Sequence, residues 1–165
     1  MPALTAGKTA PDVNLPTLDG APFKLREALA AGPVLLAFFK ISCPVCQMTF
    51  PYLERIHKAY PDSKLRIVGV SQNDAAATKA FLREYGVTFP IALDDSKSYA
   101  ASNAYRITNV PTLLLVAPDG SIQLSSVGWS RADVEQVAAE ASATSSHPKR
   151  PLFSAQDQVP DFKAG

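Results

Sequence analysis

Residues 33–46 read Pro33-Val34-Leu35-Leu36-Ala37-Phe38-Phe39-Lys40-Ile41-Ser42-Cys43-Pro44-Val45-Cys46, and the reading of this stretch decides the fold. Val34 to Phe39 is apolar without interruption and is introduced by Gly32-Pro33. A continuous apolar run of this length predicts a strand buried on both faces, as in a sheet covered by helices on either side. From Cys43 the pattern changes. Cys46, Phe50, Leu53 and Ile56 recur at intervals of three and four, which predicts a helix ending near Tyr60-Pro61.

The same alternation of strand and helix continues downstream. Leu65 to Val70 reads as a second strand, and Asp74 caps a helix running to Tyr85, with Ala77, Phe81 and Tyr85 on one face and Gly86 as its stop. Phe89 to Leu93 is expected as a third strand and Ser96 to Tyr105 as a further helix. Thr112–Ala117 and Ile122–Gly128 flank Pro118-Asp119-Gly120 and predict a hairpin. Ser130 then starts a last helix, with Asp133 in its first turn, that runs to about Ala143. Upstream, Val13 to Leu25 carries an Asp19-Gly20 turn and predicts an N-terminal hairpin. The order implies an α/β fold with a central mixed sheet flanked by helices on both faces. Residues 1–143 are read as one domain. Residues 144–165 are polar and proline-interrupted, with Leu152, Phe153, Val159 and Phe162 as possible anchors, and are expected to be an extended, draped or disordered tail.

The 165 residues suit a single domain, and 47% hydrophobic with 19% charged residues argues against a disordered chain. Sixteen Lys and Arg against 15 Asp and Glu leave a net charge of +1, which gives no electrostatic footprint for nucleic acid. The longest apolar run, Val34 to Phe39, is far short of the ~20 residues that cross a bilayer. Met1 to Pro11 lacks a basic patch followed by an apolar core, so a cytoplasmic location is expected, or a periplasmic one if a leader has been removed.

The only cysteines are Cys43 and Cys46. Joined, they would close too short a loop to stabilise the fold much by chain entropy, so the pair reads as chemistry. On a first helical turn this spacing puts both sulfurs on one side. The free N–H groups and positive dipole end there favour a thiolate at Cys43, the attacking species in disulfide exchange. Pro44 suits the first turn, where no N–H is needed. Cys-x-x-Cys beside a strand–helix–strand pattern is the mark of a thioredoxin-like redox motif. A zinc site would need four ligands. The remaining soft candidates are His57, about three helical turns beyond Cys46, and His147 in the tail.

The chain resembles the thioredoxin superfamily, specifically the TlpA/ResA-like thiol–disulfide branch grouped with redoxin and AhpC/TSA-like proteins. The matching stretches are Ala10-Pro11-Asp12, Leu18-Asp19-Gly20, Val34 to Phe39 with Cys43-Pro44-Val45-Cys46, and Phe50-Pro51-Tyr52-Leu53. Ile67 to Val70, Tyr85 to Pro90, Val110-Pro111-Thr112 and Pro118-Asp119-Gly120 follow in family order, so the likeness covers roughly residues 7–143. The resemblance implies a thioredoxin-like fold with an N-terminal hairpin extension and a central βα insert at about Asp74 to Leu93. It implies a thiol–disulfide oxidoreductase in which Cys43 is the nucleophile, Cys46 the resolving thiol and Pro44-Val45 the intervening motif. Pro111 would be the cis-proline facing the disulfide, and Val110 would offer backbone groups to a substrate chain. No cofactor beyond the Cys43–Cys46 disulfide is implied. The expected partners are protein disulfides or dithiols and a recycling redox partner, with the chain a monomer.

Three positions depart from the family pattern. Ser42 stands where Trp usually precedes the first cysteine. Ala37 stands where thioredoxins carry an acidic residue, and Thr49 where ResA-like proteins carry a glutamate, so the usual proton acceptor for the resolving thiol is missing. An alternative is a thiol peroxidase, whose motif needs Pro seven and Thr three residues before the reactive cysteine; here those positions hold Leu36 and Lys40. A second is a non-enzymatic metal-handling protein on the same scaffold, which would combine a longer cysteine spacing with a histidine near Val110-Pro111.

Overall fold

The computed structural model describes residues 2–165. Strands β1 (Asn14–Leu15) and β2 (Phe23–Lys24) pair antiparallel as the N-terminal hairpin, and α1 (Leu25–Leu29) follows at once. The main sheet contains β3 (Val34–Phe39), β4 (Arg66–Ser71), β5 (Ile91–Leu93), β6 (Thr112–Val116) and β7 (Ile122–Val127), in the order β5-β4-β3-β6-β7. β3 runs parallel to β4 and antiparallel to β6, so it sits at the centre of a mixed sheet. The helices α2 (Pro44–Ala59), α3 (Ala75–Tyr85), α4 (Ala100–Ala104) and α5 (Arg131–Ala143) complete the α/β domain.

The apolar run at β3 is continuous because both of its faces are covered. Leu35, Ala37 and Phe39 point into one core, with Phe50 and Leu53 of α2, Phe81 of α3 and Val134 and Val137 of α5. Val34, Leu36 and Phe38 point into the other, with Leu25 and Leu29 of α1 and Ala101 of α4. α2 is seated by an aromatic cluster: the Phe50 ring lies 4.3 Å from Phe39, 5.6 Å from Phe89 and 5.7 Å from Phe81, centroid to centroid. Glu54 adds a polar tie, accepting from the Thr88 amide at 2.8 Å and the Thr88 hydroxyl at 2.5 Å. The helix passes through Pro51, which can donate no hydrogen bond to the preceding turn.

The capping signals sit where the sequence puts them. Asp74 accepts from the Ala77 amide at 2.8 Å, Gly86 ends α3 in the left-handed conformation, and Ser130 accepts from the Asp133 amide at 3.2 Å. Two elements are shorter than their patterns predict. The ladder of β5 starts at Ile91 rather than Phe89, because Pro90 has no N–H to give it. The helix expected over Ser96–Tyr105 forms only at Ala100–Ala104. Tyr99 is left-handed at φ 50°, and the Asp94 carboxylate takes the Ala101 and Ser102 amides at 3.0 and 2.9 Å, fixing the start there.

Past α5 the chain turns back along α2 and α5. Leu152, Phe153 and Val159 pack on the core, and the Arg55 guanidinium grips Asp157 through both nitrogens at 2.7 and 3.0 Å. β8 (Trp129–Ser130) pairs antiparallel with β9 (Phe162–Lys163). Among the described residues no helix is long and apolar enough to cross a membrane.

Candidate active site

Cys43 is the N-cap of α2, extended at φ −85° and ψ 115°, and its sulfur accepts a hydrogen bond from the Cys46 amide at 3.1 Å. This is the thiol equivalent of an N-capping side chain: a helix-start N–H that would otherwise lack a partner is aimed at the sulfur. Pro44 occupies the first turn and is exposed, whereas Val45 and Cys46 are buried. Cys43 remains partly exposed; both cysteines are free thiols. Burial pushes the Cys46 thiol far above its ordinary range, and its neighbour Cys43 pushes it further the same way.

Across the site, the Val110–Pro111 peptide is cis and Pro111 is buried. The Cys43 thiol donates to the Val110 carbonyl at 3.3 Å, so the loop before β6 and the start of α2 meet at the sulfur. The loop leading into Cys43 is braced by two residues the sequence reading did not single out. Asn73 accepts from the Ile41 amide at 3.0 Å, and the Gln47 side chain donates to the Ile41 carbonyl at 2.9 Å. Their only sequence trace is an amide side chain two residues past a buried strand and another on the first turn of α2. Beside Val110 opens a polar cleft of about 240 Å³, lined by Lys40, Gln72, Tyr99, Asn103 and Thr108.

The three departures have definite places. Ser42 is exposed next to Cys43. Ala37 is fully buried in β3, paired with Gly69 and Leu113. Thr49 is fully buried, and its hydroxyl donates back to the Val45 carbonyl of its own helix at 2.7 Å. Neither Leu36, buried in β3, nor Lys40, exposed at its end, can supply the hydroxyl of the peroxidase motif. His57 lies edge-on to Phe89, and His147 pairs with Asp62 at 2.9 Å, so neither approaches the cysteines. Among the described residues, no three His, Cys, Asp or Glu side chains are grouped as a metal site would need.

Trp129 is fully buried. Its ring packs tilted against Tyr52 and edge-on against Phe153, and its indole N–H donates to the Pro160 carbonyl at 2.6 Å.

Compared with known proteins, the chain matches the model of the AhpC/TSA family over residues 6–125. The chain belongs to the AhpC/TSA family. Within it, this AhpC/TSA chain is 33% identical over 118 residues to the thiol-disulfide oxidoreductase ResA of Halalkalibacterium halodurans, covering 71% of this chain and 65% of that protein. It thus spans just under two thirds of that relative's length. It is 34% identical over 135 residues to the thioredoxin-like protein YneN of Bacillus subtilis, covering 79% of this chain and 76% of that one. The solution structure of a thiol:disulfide interchange protein from Bacteroides sp. superposes with a TM-score of 0.70 at 25% identity, over 85% of this chain and 90% of that one. The thioredoxin-like architecture is therefore shared as well.

Proposed function

We propose that the protein is a thiol–disulfide oxidoreductase that exchanges disulfides with protein substrates through Cys43 and Cys46. The observation that carries this reading is the capped sulfur: Cys43 is the exposed member of the pair, hydrogen-bonded by the Cys46 amide and facing the cis Val110–Pro111 peptide. Cys43, as thiolate, attacks one sulfur of a substrate disulfide. A Cys43–substrate S–S bond forms, the substrate S–S bond breaks, and the leaving thiolate takes up a proton from solvent. Cys46 then loses its proton and attacks the Cys43 sulfur. This forms the Cys43–Cys46 disulfide and releases the second substrate thiol, so two electrons pass from the pair to the substrate. The reverse sequence donates a disulfide. In this reading Pro44 and Val45 set the turn between the sulfurs, Pro111 walls the groove, and Val110 offers its backbone to the substrate chain.

The buried, proton-retaining Cys46 supports the division of labour, because only Cys43 is both accessible and solvated enough to begin exchange. No buried carboxylate stands at Ala37 or Thr49 to take the Cys46 proton, so in this reading the proton leaves toward the open side of the site, where Cys43 and solvent meet. Replacing Cys46 with serine removes the resolving step. The C46S protein is expected to accumulate mixed disulfides with its substrates through Cys43, visible as reductant-sensitive adducts on non-reducing gels. Absence of such adducts, with Cys43 intact and reactive, would refute the exchange mechanism.

A further inference from the structure

The segment after the last core anchor, Val159, differs in kind from the tail before it. Leu152, Phe153 and Val159 are packed on the core, whereas every residue from Pro160 to Gly165 is exposed, Phe162 to 63%. These six residues are held by their main chain. The Trp129 indole donates to the Pro160 carbonyl, the Arg131 amide donates to the Asp161 carbonyl at 2.9 Å, and Phe162–Lys163 pair with Trp129–Ser130. The segment then runs into the thiol site. Asn109 donates to the Gly165 carbonyl at 3.3 Å, and Gly165 packs so closely on Val110 that a side chain there would overlap the Val110 carbonyl oxygen. That is the same oxygen that accepts from the Cys43 thiol. A side chain on Gly128 would meet the Lys163 carbonyl at 2.5 Å and the Gly165 amide at 2.9 Å. Glycine at 128 and at 165 is what allows the two backbones to touch.

We propose that Pro160–Gly165 is a specificity-determining lip of the thiol groove: it covers the Val110 backbone beside Cys43, admits narrow thiols and disulfides, and must be displaced by a folded or bulky substrate. This deepens the exchange reading above and rests on it for the direction of substrate approach. Displacement does not require the tail to unfold, because the Asp157 and Phe153 anchors lie upstream of the lip and its own side chains are all exposed. Segments held by a few hydrogen bonds to their main chain, with exposed side chains, open at the low end of the local stability scale.

The test measures Cys43 accessibility in a C46S background, where Cys43 is the only thiol, using N-ethylmaleimide and a polyethylene-glycol maleimide of the same chemistry. Deleting residues 160–165 is expected to raise the bulky-to-small rate ratio on the order of 10-fold, the factor for a groove open about a tenth of the time. Gly165→Leu, which pushes the segment off Val110 and touches no core residue, is expected to move the ratio the same way. It decides the matter if the deletion perturbs folding by circular dichroism. An unchanged ratio in the folded variant overturns the proposal. Turnover of a protein disulfide against a small aromatic disulfide is measured alongside in the same variants with Cys46 retained. Loss of all exchange with the ratio still responding would sink the exchange reading and leave the lip in place. Normal exchange with an unresponsive ratio would do the reverse.

Discussion

Replacing Phe50 with alanine tests how the thiol-bearing helix is held on the sheet. The ring is fully buried and lies within 6 Å of Phe39, Phe81 and Phe89, so its loss removes apolar surface and leaves a hole bounded by three rigid rings. Transfer of a fully buried aromatic side chain accounts for about 1.5–3 kcal/mol. Three ring neighbours on β3, on α3 and in the segment before β5 cannot collapse into the space, so the cavity brings the expected loss to about 3–5 kcal/mol. At about 2–4 °C per kcal/mol for a domain of this size, the midpoint of thermal unfolding should fall by about 6–20 °C. Urea unfolding followed by far-UV circular dichroism measures the loss directly, and the slope should stay that of the wild-type protein. Phe50→Leu, which keeps most of the volume, should cost less than about 1.5 kcal/mol. Val127→Ala, at an exposed position of β7, should stay within about 0.5 kcal/mol. A Phe50→Ala loss below about 1 kcal/mol would refute the argument that this ring anchors α2.

Three further outcomes follow from the geometry. Under native conditions near neutral pH, iodoacetamide should modify Cys43 and spare Cys46, whose burial disfavours its thiolate; intact mass should show one adduct before denaturation and two after, and a native double adduct would contradict the burial argument. The hydrogen bonds from Arg55 and Ser154 hold the Asp157 carboxyl well below the ordinary aspartate value, so its contribution to tail docking is complete above about pH 4 and fades only as pH falls through the lower folded value. Trp129, the only tryptophan, reports this: its emission should be flat from about pH 5 to 8 in the wild-type protein, and Asp157→Asn should shift it to the red as the tail loosens over the indole. Gly69→Ala would place a methyl group 2.6 Å from Ile91 Cδ1 and 3.3 Å from the Phe39 ring, between β4 and α2. Because the Ile91 terminus can turn aside, the cost should fall toward the lower end of about 1–3 kcal/mol by denaturant titration.

What was legible in the sequence was whatever has a local cause. The unbroken run Val34–Phe39 announces a strand with cores on both faces, and the sheet supplies both. Asp74 with Gly86, and Ser130 with its partner three residues on, mark helix ends because capping is settled within a turn. Cys43 reads as a helix start for the same reason. The structure adds what depends on distant partners. Asn73 braces the loop before Cys43 from 32 residues away, and Arg55 meets Asp157 across 102. Neither pairing leaves a periodic trace. The tail is the clearest case: its few apolar residues suggest anchors, but their spacing does not say which surface receives them. The closeness of Gly128, Gly165 and Val110 exists only once β8 and β9 have paired.

The most direct test of the central claim is the redox equilibrium of the cysteine pair. The protein is equilibrated against thiol–disulfide buffers of graded potential, quenched and alkylated, and the free thiols are counted by mass. A Cys43–Cys46 exchange pair predicts one reversible two-electron transition between no free thiols and two. Its midpoint should lie between the thioredoxin and strongly oxidising limits, about −270 and −120 mV. Free thiols that persist across the whole series, or oxidation that a reducing buffer fails to reverse, would contradict it.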